Sequence, residues 1–238
     1  MPGSFKTEAI VLRSIRYGEA DRIVHLYSST RGRIGAIAKG SRRPKSRFGG
    51  RLEPFFRLNL VLYEGRGELF TVTGASTVEG HGRLRSDGSA LGAAGRACDA
   101  VLRLLDSGEP NQAAYNLLCT YLALLDVDSA AAGAGTALAF RLKLALAAGF
   151  SPELASCASC GEADHLAAFS GAAGGVVCAS CEGGGFPLSE ESHRFMVDAL
   201  ARPLSEAPAA DGRIAAQADR AITETLEHHA HVHLRAAA

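Results

Sequence analysis

The chain has 238 residues, 47% hydrophobic and 21% charged, which supplies one large or two modest cores and excludes disorder as the default state. The opening Met-Pro-Gly-Ser-Phe lacks a signal-peptide layout, no run approaches the roughly 18 apolar residues of a membrane span, and the expectation is a soluble protein of a reducing, intracellular compartment. A formal net charge of zero hides an asymmetry: residues 1–80 hold 14 Lys/Arg against 7 Asp/Glu, and the other 158 hold 11 against 18.

The first 80 residues read as β-structure. Residues 9–14, 22–27, 33–38, 57–63 and 69–73 are short runs rich in Val, Ile, Leu and Phe, separated by glycine or polar turns. In 57–63 the leucines alternate strictly, so Leu58, Leu60 and Leu62 face a core while Arg57, Asn59 and Tyr63 face outward. Glu64-Gly65-Arg66-Gly67-Glu68 is the hairpin turn that follows. Five short strands with basic loops suggest a small barrel of the oligonucleotide-binding (OB) type, although composition does not separate it from other small barrels.

Nine cations and no acid occupy residues 22–52: Arg22, Arg31, Arg33, Lys39, Arg42, Arg43, Lys45, Arg47 and Arg51. Such a field suits a polyphosphate backbone, against the plainer reading of a solvated basic loop. Phe48, Phe55 and Phe56 lie in or beside the longest loop, where aromatics among cations can stack unpaired bases, or can simply be core.

From about Leu84 the pattern becomes helical. Apolar residues recur at three- and four-residue spacing over 93–105 and 112–125, with a Ser-Gly-Glu-Pro break at 107–110 between them. Helices are further predicted over 136–148, with Gly149 as stop signal, from a cap at Ser189, and over 215–234. The Ala/Gly-rich segment 129–135 reads as a linker between helices. Cys98 and Cys119 lie in apolar helical surroundings and read as small buried hydrophobes.

Cys157-Ala-Ser-Cys160 and Cys178-Ala-Ser-Cys181, 17 residues apart, have the spacing of a zinc ribbon, with 166–169 and 174–177 as its arms. Four thiolates fill a tetrahedral Zn²⁺ and leave no open position, so the expected metal is one structural zinc and not a catalytic one. A redox dithiol is the competing reading of each pair. A nucleobase deaminase is excluded: no His-x-Glu occurs, and Ser156, not proline, precedes the first pair. There is no P-loop, no Gly-x-Ser-x-Gly elbow and no His-Glu-x-x-His helix, and the expectation is a protein that is not an enzyme. His228, His229, His231 and His233 near the C-terminus read as surface or packing residues.

Phe140-Arg141-Leu142-Lys143-Leu144-Ala145-Leu146-Ala147-Ala148-Gly149-Phe150-Ser151-Pro152-Glu153-Leu154, followed by Cys157-Ala-Ser-Cys160-Gly161, resembles the RecO family of bacterial recombination and repair proteins. The segments 7–13, 18–24 and 35–40 match that family's N-terminal pattern, so the resemblance covers nearly the whole chain. It implies an α+β protein: an N-terminal OB-fold barrel over 1–80, a helical domain over 81–238, and a four-cysteine zinc ribbon inserted at 155–187. It also implies binding of single- and double-stranded DNA, annealing of complementary strands, and help in loading RecA onto SSB-coated DNA in the cytoplasm, at the nucleoid. The partners implied are RecR and the acidic SSB tail, with RecF as a further candidate. Two readings of other classes stay open at this point: a zinc-ribbon RNA-binding or transcription-associated protein, and a metalloenzyme or redox protein.

Overall fold

The structure, a computed structural model, describes residues 3–236. It is mixed α+β, with a strand-built N-terminal region and then helices interrupted by a small sheet. Five strands, β1 (Ser4–Tyr17), β2 (Asp21–Ser28), β3 (Gly32–Ala38), β4 (Arg57–Tyr63) and β5 (Phe70–Glu79), close into a barrel in the order β1-β2-β3-β5-β4. The β3–β5 pair is parallel and the others antiparallel, which makes the barrel an OB fold. Its core is built by alternation: Val24 and Leu26, Ile34, Ala36 and Ala38, and Leu58, Leu60 and Leu62 all point inward.

Two strands are longer than their apolar runs. Ser4 to Ile10 of β1 pairs with β4, while Ala9 to Tyr17 pairs with β2 across a bulge between Val11 and Arg13. One strand thus closes the barrel on two sides, and its polar first half is held by partners that periodicity cannot see. Likewise β5 continues through Gly74, Ala75, Ser76 and Thr77 because those residues pair with Val61, Leu60, Asn59 and Leu58 of β4.

Five helices follow: α1 (Gly88–Leu104), α2 (Gln112–Val127), α3 (Ala134–Ala147), α4 (Glu190–Ala201) and α5 (Gly212–His229). Helix α1 starts earlier than its apolar pattern because the Asp87 carboxylate accepts from the Ala90 N–H at 2.9 Å. Replacing Asp87 with Ala should therefore cost about 1 kcal/mol, read as a lower denaturant midpoint at unchanged slope. Helix α3 stops at Gly149, whose φ of +85° allows the Phe150 N–H to return to the Ala145 carbonyl at 2.8 Å. Ser189 caps α4 as expected, its hydroxyl accepting from the Ser192 N–H at 3.3 Å. Helix α5 ends at His229, short of the predicted 234, and His231 takes a positive φ of +54°. The segment between α2 and α3 is the expected linker, formed by a short 3₁₀ turn over Ser129–Ala132 that leads into α3 at Ala134.

Packing divides the chain into two compact units, residues 1–127 and 128–238. The change from strand to helix near residue 80 therefore lies inside the first unit, and α1 and α2 belong with the barrel. The reason is polar as well as apolar. Tyr115 of α2 donates to Glu8 Oε1 at 2.8 Å, and Arg57 bridges Glu8 at 3.4 Å and Glu79 at 2.8 Å. The outward-facing Tyr27 is fully buried and stacks on Tyr115, with ring centroids 6.4 Å apart.

In the second unit α3 is tied to α5 by the buried Arg141, which reaches Asp219 and donates to Thr223, and to α4 by the Lys143 ammonium on the Leu200 carbonyl at 2.8 Å. Burial disfavours the charge on Arg141, and the neighbouring Asp219 carboxylate offsets that cost. A small sheet, order β7-β6-β8, lies in the same unit: β6 (Leu166–Ser170), β7 (Gly175–Cys178) and β8 (Phe186–Pro187). The first two are the expected ribbon arms. The third is two residues long and is held by pairing with Ala168 and Phe169. No helix among the described residues is long and apolar enough to cross a membrane.

Candidate metal centre and nucleic-acid interface

The two Cys-x-x-Cys turns come together because β6 and β7 form a hairpin. Leu166 pairs with Cys178, and this register carries the second turn, at the end of β7, beside the first. Each turn is closed by its backbone: the Gly161 N–H donates to the Cys157 carbonyl at 2.8 Å, and the Cys181 N–H to the Cys178 carbonyl at 2.9 Å. All four sulfurs, of Cys157, Cys160, Cys178 and Cys181, lie within 4.8 Å of one another. Bonds of about 2.3 Å at tetrahedral angles put sulfurs about 3.8 Å apart, and the Cys160 Sγ and Cys178 Sγ are 3.8 Å apart. The four sulfurs suit a metal ion of that size and softness.

The electrostatics agree. Backbone N–H groups of Cys178, Cys160 and Ser159 bring the Cys157 thiol down to about 6, while the neighbouring sulfurs of Cys160 and Cys178 push Cys181 up to about 12. Thiolates this close repel one another, and a divalent cation among them removes that repulsion. Cys98 and Cys119 stand apart as free thiols whose ionisation burial suppresses. The C-terminal histidines play other parts: His229 Nε2 bonds the Gly171 carbonyl at 2.8 Å and His233 pairs with Glu227. Among the described residues the four cysteines are the one group of three or more clustered metal-ligating side chains.

In the first unit the nine cations of the basic segment divide into two sets. Three belong to the barrel's own bonding. Arg22 is clamped to Glu53 at 2.7 Å and to Ser14 at 3.1 Å. Arg31 lies over the Phe5 ring at 3.9 Å and pairs with Glu64 at 3.9 Å. Arg33 donates to Ser107 Oγ at 3.1 Å and to the Leu102 carbonyl. The other six, Lys39, Arg42, Arg43, Lys45, Arg47 and Arg51, are exposed on the connection from β3 to β4, and no ion pair engages them among the described residues.

That connection is held in shape. The Gly40 N–H donates to Asp21 Oδ1 at 2.7 Å and the Arg42 N–H to the Ala20 carbonyl at 2.8 Å, which fastens its start to the β1–β2 turn. Successive turns follow, Arg43 to Gly40, Ser46 to Arg43 and Arg51 to Phe48. Phe48 (1% exposed) and Leu52 (2%) drop into the barrel core and pin the middle. At its end Phe55 takes a left-handed φ of +74°, held by its N–H on the Val11 carbonyl at 2.8 Å. The phenylalanines therefore point inward: Phe48 and Phe55 are buried, and Phe56 packs on the core beneath the Arg85 guanidinium at 4.7 Å. Base stacking falls to none of them in this arrangement. What the loop offers is six cations on a braced backbone, with the entropy of ordering already spent.

A basic patch bounded at Arg22 by sequence passes over Arg13 and Arg16, both exposed on β1. The signal is the strand itself: Arg16 is the cross-strand partner of Arg22, visible only once the register is known.

Comparison with known proteins places these features in a family. Residues 1–81 match the family described as "Recombination protein O N terminal", and residues 85–237 match "Recombination protein O C terminal". The chain is 40% identical over 216 residues to the DNA repair protein RecO of Rubrobacter xylanophilus, covering 87% of this chain and 85% of that protein. It is 36% identical over 235 residues to RecO of Anaeromyxobacter dehalogenans, covering 94% and 91%, and 36% over 230 residues to RecO of Geobacter sulfurreducens, covering 90% and 93%. The two family matches meet between residues 81 and 85, where the barrel gives way to helix, and together with these relatives they establish that the chain belongs to the RecO family of recombination proteins.

Proposed function

We propose that this RecO-family protein serves DNA repair and homologous recombination by binding single- and double-stranded DNA, annealing complementary strands and, with RecR, helping to load RecA onto SSB-coated DNA. The observation that carries the reading is the braced loop of six exposed cations on an OB barrel, in a chain of this family. Cations so placed offset the repulsion between two phosphate backbones and leave base edges free to pair. No covalent step is required, so the protein works as a mediator and not as an enzyme. The metal is one Zn²⁺ held by Cys157, Cys160, Cys178 and Cys181, which cross-links two turns of the ribbon and takes no part in DNA chemistry. RecR, the acidic tail of SSB and RecF are the partners this role calls for, and the bacterial cytoplasm at the nucleoid is its place.

The test is an annealing assay on complementary strands, bare and SSB-coated, with and without RecR. The protein should speed annealing on both without any nucleotide, and the rate should fall steeply above physiological salt as counterions compete. A strict ATP requirement or salt-insensitive annealing would overturn the charge-screening mechanism. Tighter binding to structured RNA than to unpaired DNA would favour an RNA-binding role instead.

A further inference from the structure

Arg13, His25 and Gly35 form one row across three neighbouring strands, Arg13 being the cross-strand partner of His25 and His25 that of Gly35. The row lies on the outer face of the barrel, because the alternating residues Val24, Leu26, Ile34 and Ala36 fill the core. Its third place has no side chain, and a Cβ at Gly35 would lie 2.8 Å from Leu69 Cδ2. Leu69 thus packs over Gly35, and a hollow of ≈ 500 Å³ lies beside the row with Leu69 in its lining. The charged and titratable groups facing it are Arg13 from β1, His25 from β2, Arg33 from β3, Glu68 from the turn before β5, and Asp99 and Arg103 from α1.

These groups are not equivalent. Arg103 is committed to Asp99 at 2.8 Å. Arg33 is aimed into place by Ser107 and the Leu102 carbonyl. Arg13 is exposed and has no ion pair among the described residues. His25, half-buried, is kept neutral by burial first and then by the positive charges of Arg13 and Arg33. An imidazole facing two permanent cations reverses its preference when an anion arrives between them, since the anion stabilises the added proton.

We infer that this hollow receives the terminal phosphate of a DNA strand, a phosphate monoester held by Arg13 and Arg33, with His25 as its proton-linked third contact. The inference rests on the DNA-binding reading above but not on the basic loop. A terminus suits the charges better than a continuous backbone: Glu68 and Asp99 line the hollow together with the cations, so the anion that binds there must carry enough charge to outweigh two carboxylates. A terminal phosphate also carries about −1.5 to −2 charges at neutral pH against about −1 for a diester, so the same two guanidinium groups grip it more strongly.

The experiment uses the full chain and one oligonucleotide in three forms: 5′-phosphorylated, 3′-phosphorylated and unphosphorylated. At least one phosphorylated form should bind about tenfold more tightly than the unphosphorylated form at about pH 7, as expected of new charge-assisted contacts. The advantage should shrink toward about pH 8.5, because a proton taken up by His25 is needed and becomes scarce. Calorimetry in two buffers of different ionisation enthalpy should report uptake of up to about one proton with the phosphorylated strand only. Arg13→Ala and His25→Gln should each reduce the advantage, and His25→Gln should remove its pH dependence. The wild-type comparison and the proton count stand even if a variant misfolds. Equal affinity for all three forms would overturn the inference and leave DNA binding by the loop intact. Failure to bind any of them would overturn both.

Discussion

Stripping the metal should unfold the ribbon. Structural zinc in small domains contributes about 10–16 kcal/mol of apparent binding free energy at pH 7, and that free energy is folding free energy. Here β6 and β7 are five and four residues long and β8 is two, and although Phe169, Val176 and Val177 are buried, the two cysteine turns at the sheet's end depend on the metal to hold them together. Purified protein should contain one zinc per chain by elemental analysis, with the four thiols of the cluster unreactive until chelator is added. Chelation under reducing conditions should expose them together and make residues near 155–187 sensitive to protease. Acidification should release the metal as well, since protons compete for the sulfurs. A metal content well below one per chain, with reduced thiols, would sink the structural-zinc reading.

The four-fold variant Arg42→Ala, Arg43→Ala, Lys45→Ala, Arg47→Ala should bind every DNA sequence more weakly and to a similar extent, because phosphate contacts carry affinity without reading bases. If three of these cations contact single-stranded DNA, the slope of log affinity against log salt should fall in magnitude by about 2, and affinity at about 0.15 M salt should drop about 50-fold. The fold should survive. All four side chains are exposed, and the loop is pinned by Phe48 and Leu52, which the variant keeps. A matched change of Arg22 tests the distinction between the two sets of cations: Arg22→Ala should disturb its contact to Glu53 and Ser14, lowering stability with little change in salt slope. An unchanged slope in the four-fold variant would mean that the loop is solvated surface and nothing more.

The four-cysteine cluster was legible in the sequence because its members come in two local turns. Cys-x-x-Cys fixes both members of a pair within four residues, and the 17 residues between pairs leave room for only a short hairpin. The alternation of Leu58, Leu60 and Leu62 was legible for a similar reason, since a strand with one buried face writes its period directly into the chain. So was the stop at Gly149, where the backbone needs a conformation that glycine adopts freely.

Other features were decided by residues far apart in sequence. The polar halves of β1 and β5 are strands because β4 pairs with them, which no local period records. Phe48 reads from sequence as an aromatic among cations, yet barrel closure places it in the core. The nine cations of residues 22–52 look alike in the chain, and only the fold gives Arg22 an acid, Arg33 a hydroxyl and a carbonyl, and leaves six others on a braced loop. Arg13 and His25 are 12 residues apart in sequence and become neighbours only through the register of β1 on β2, which a bulge beside Arg13 shifts. Sequence alone determined which residues carry charge, which can bind metal and which strands have a buried face, because those are properties of single side chains and short periods. Which charges remain free, which aromatics are hidden and which side chains meet across strands were decided by the tertiary structure, because each depends on long-range pairing whose register is set by the closed barrel as a whole.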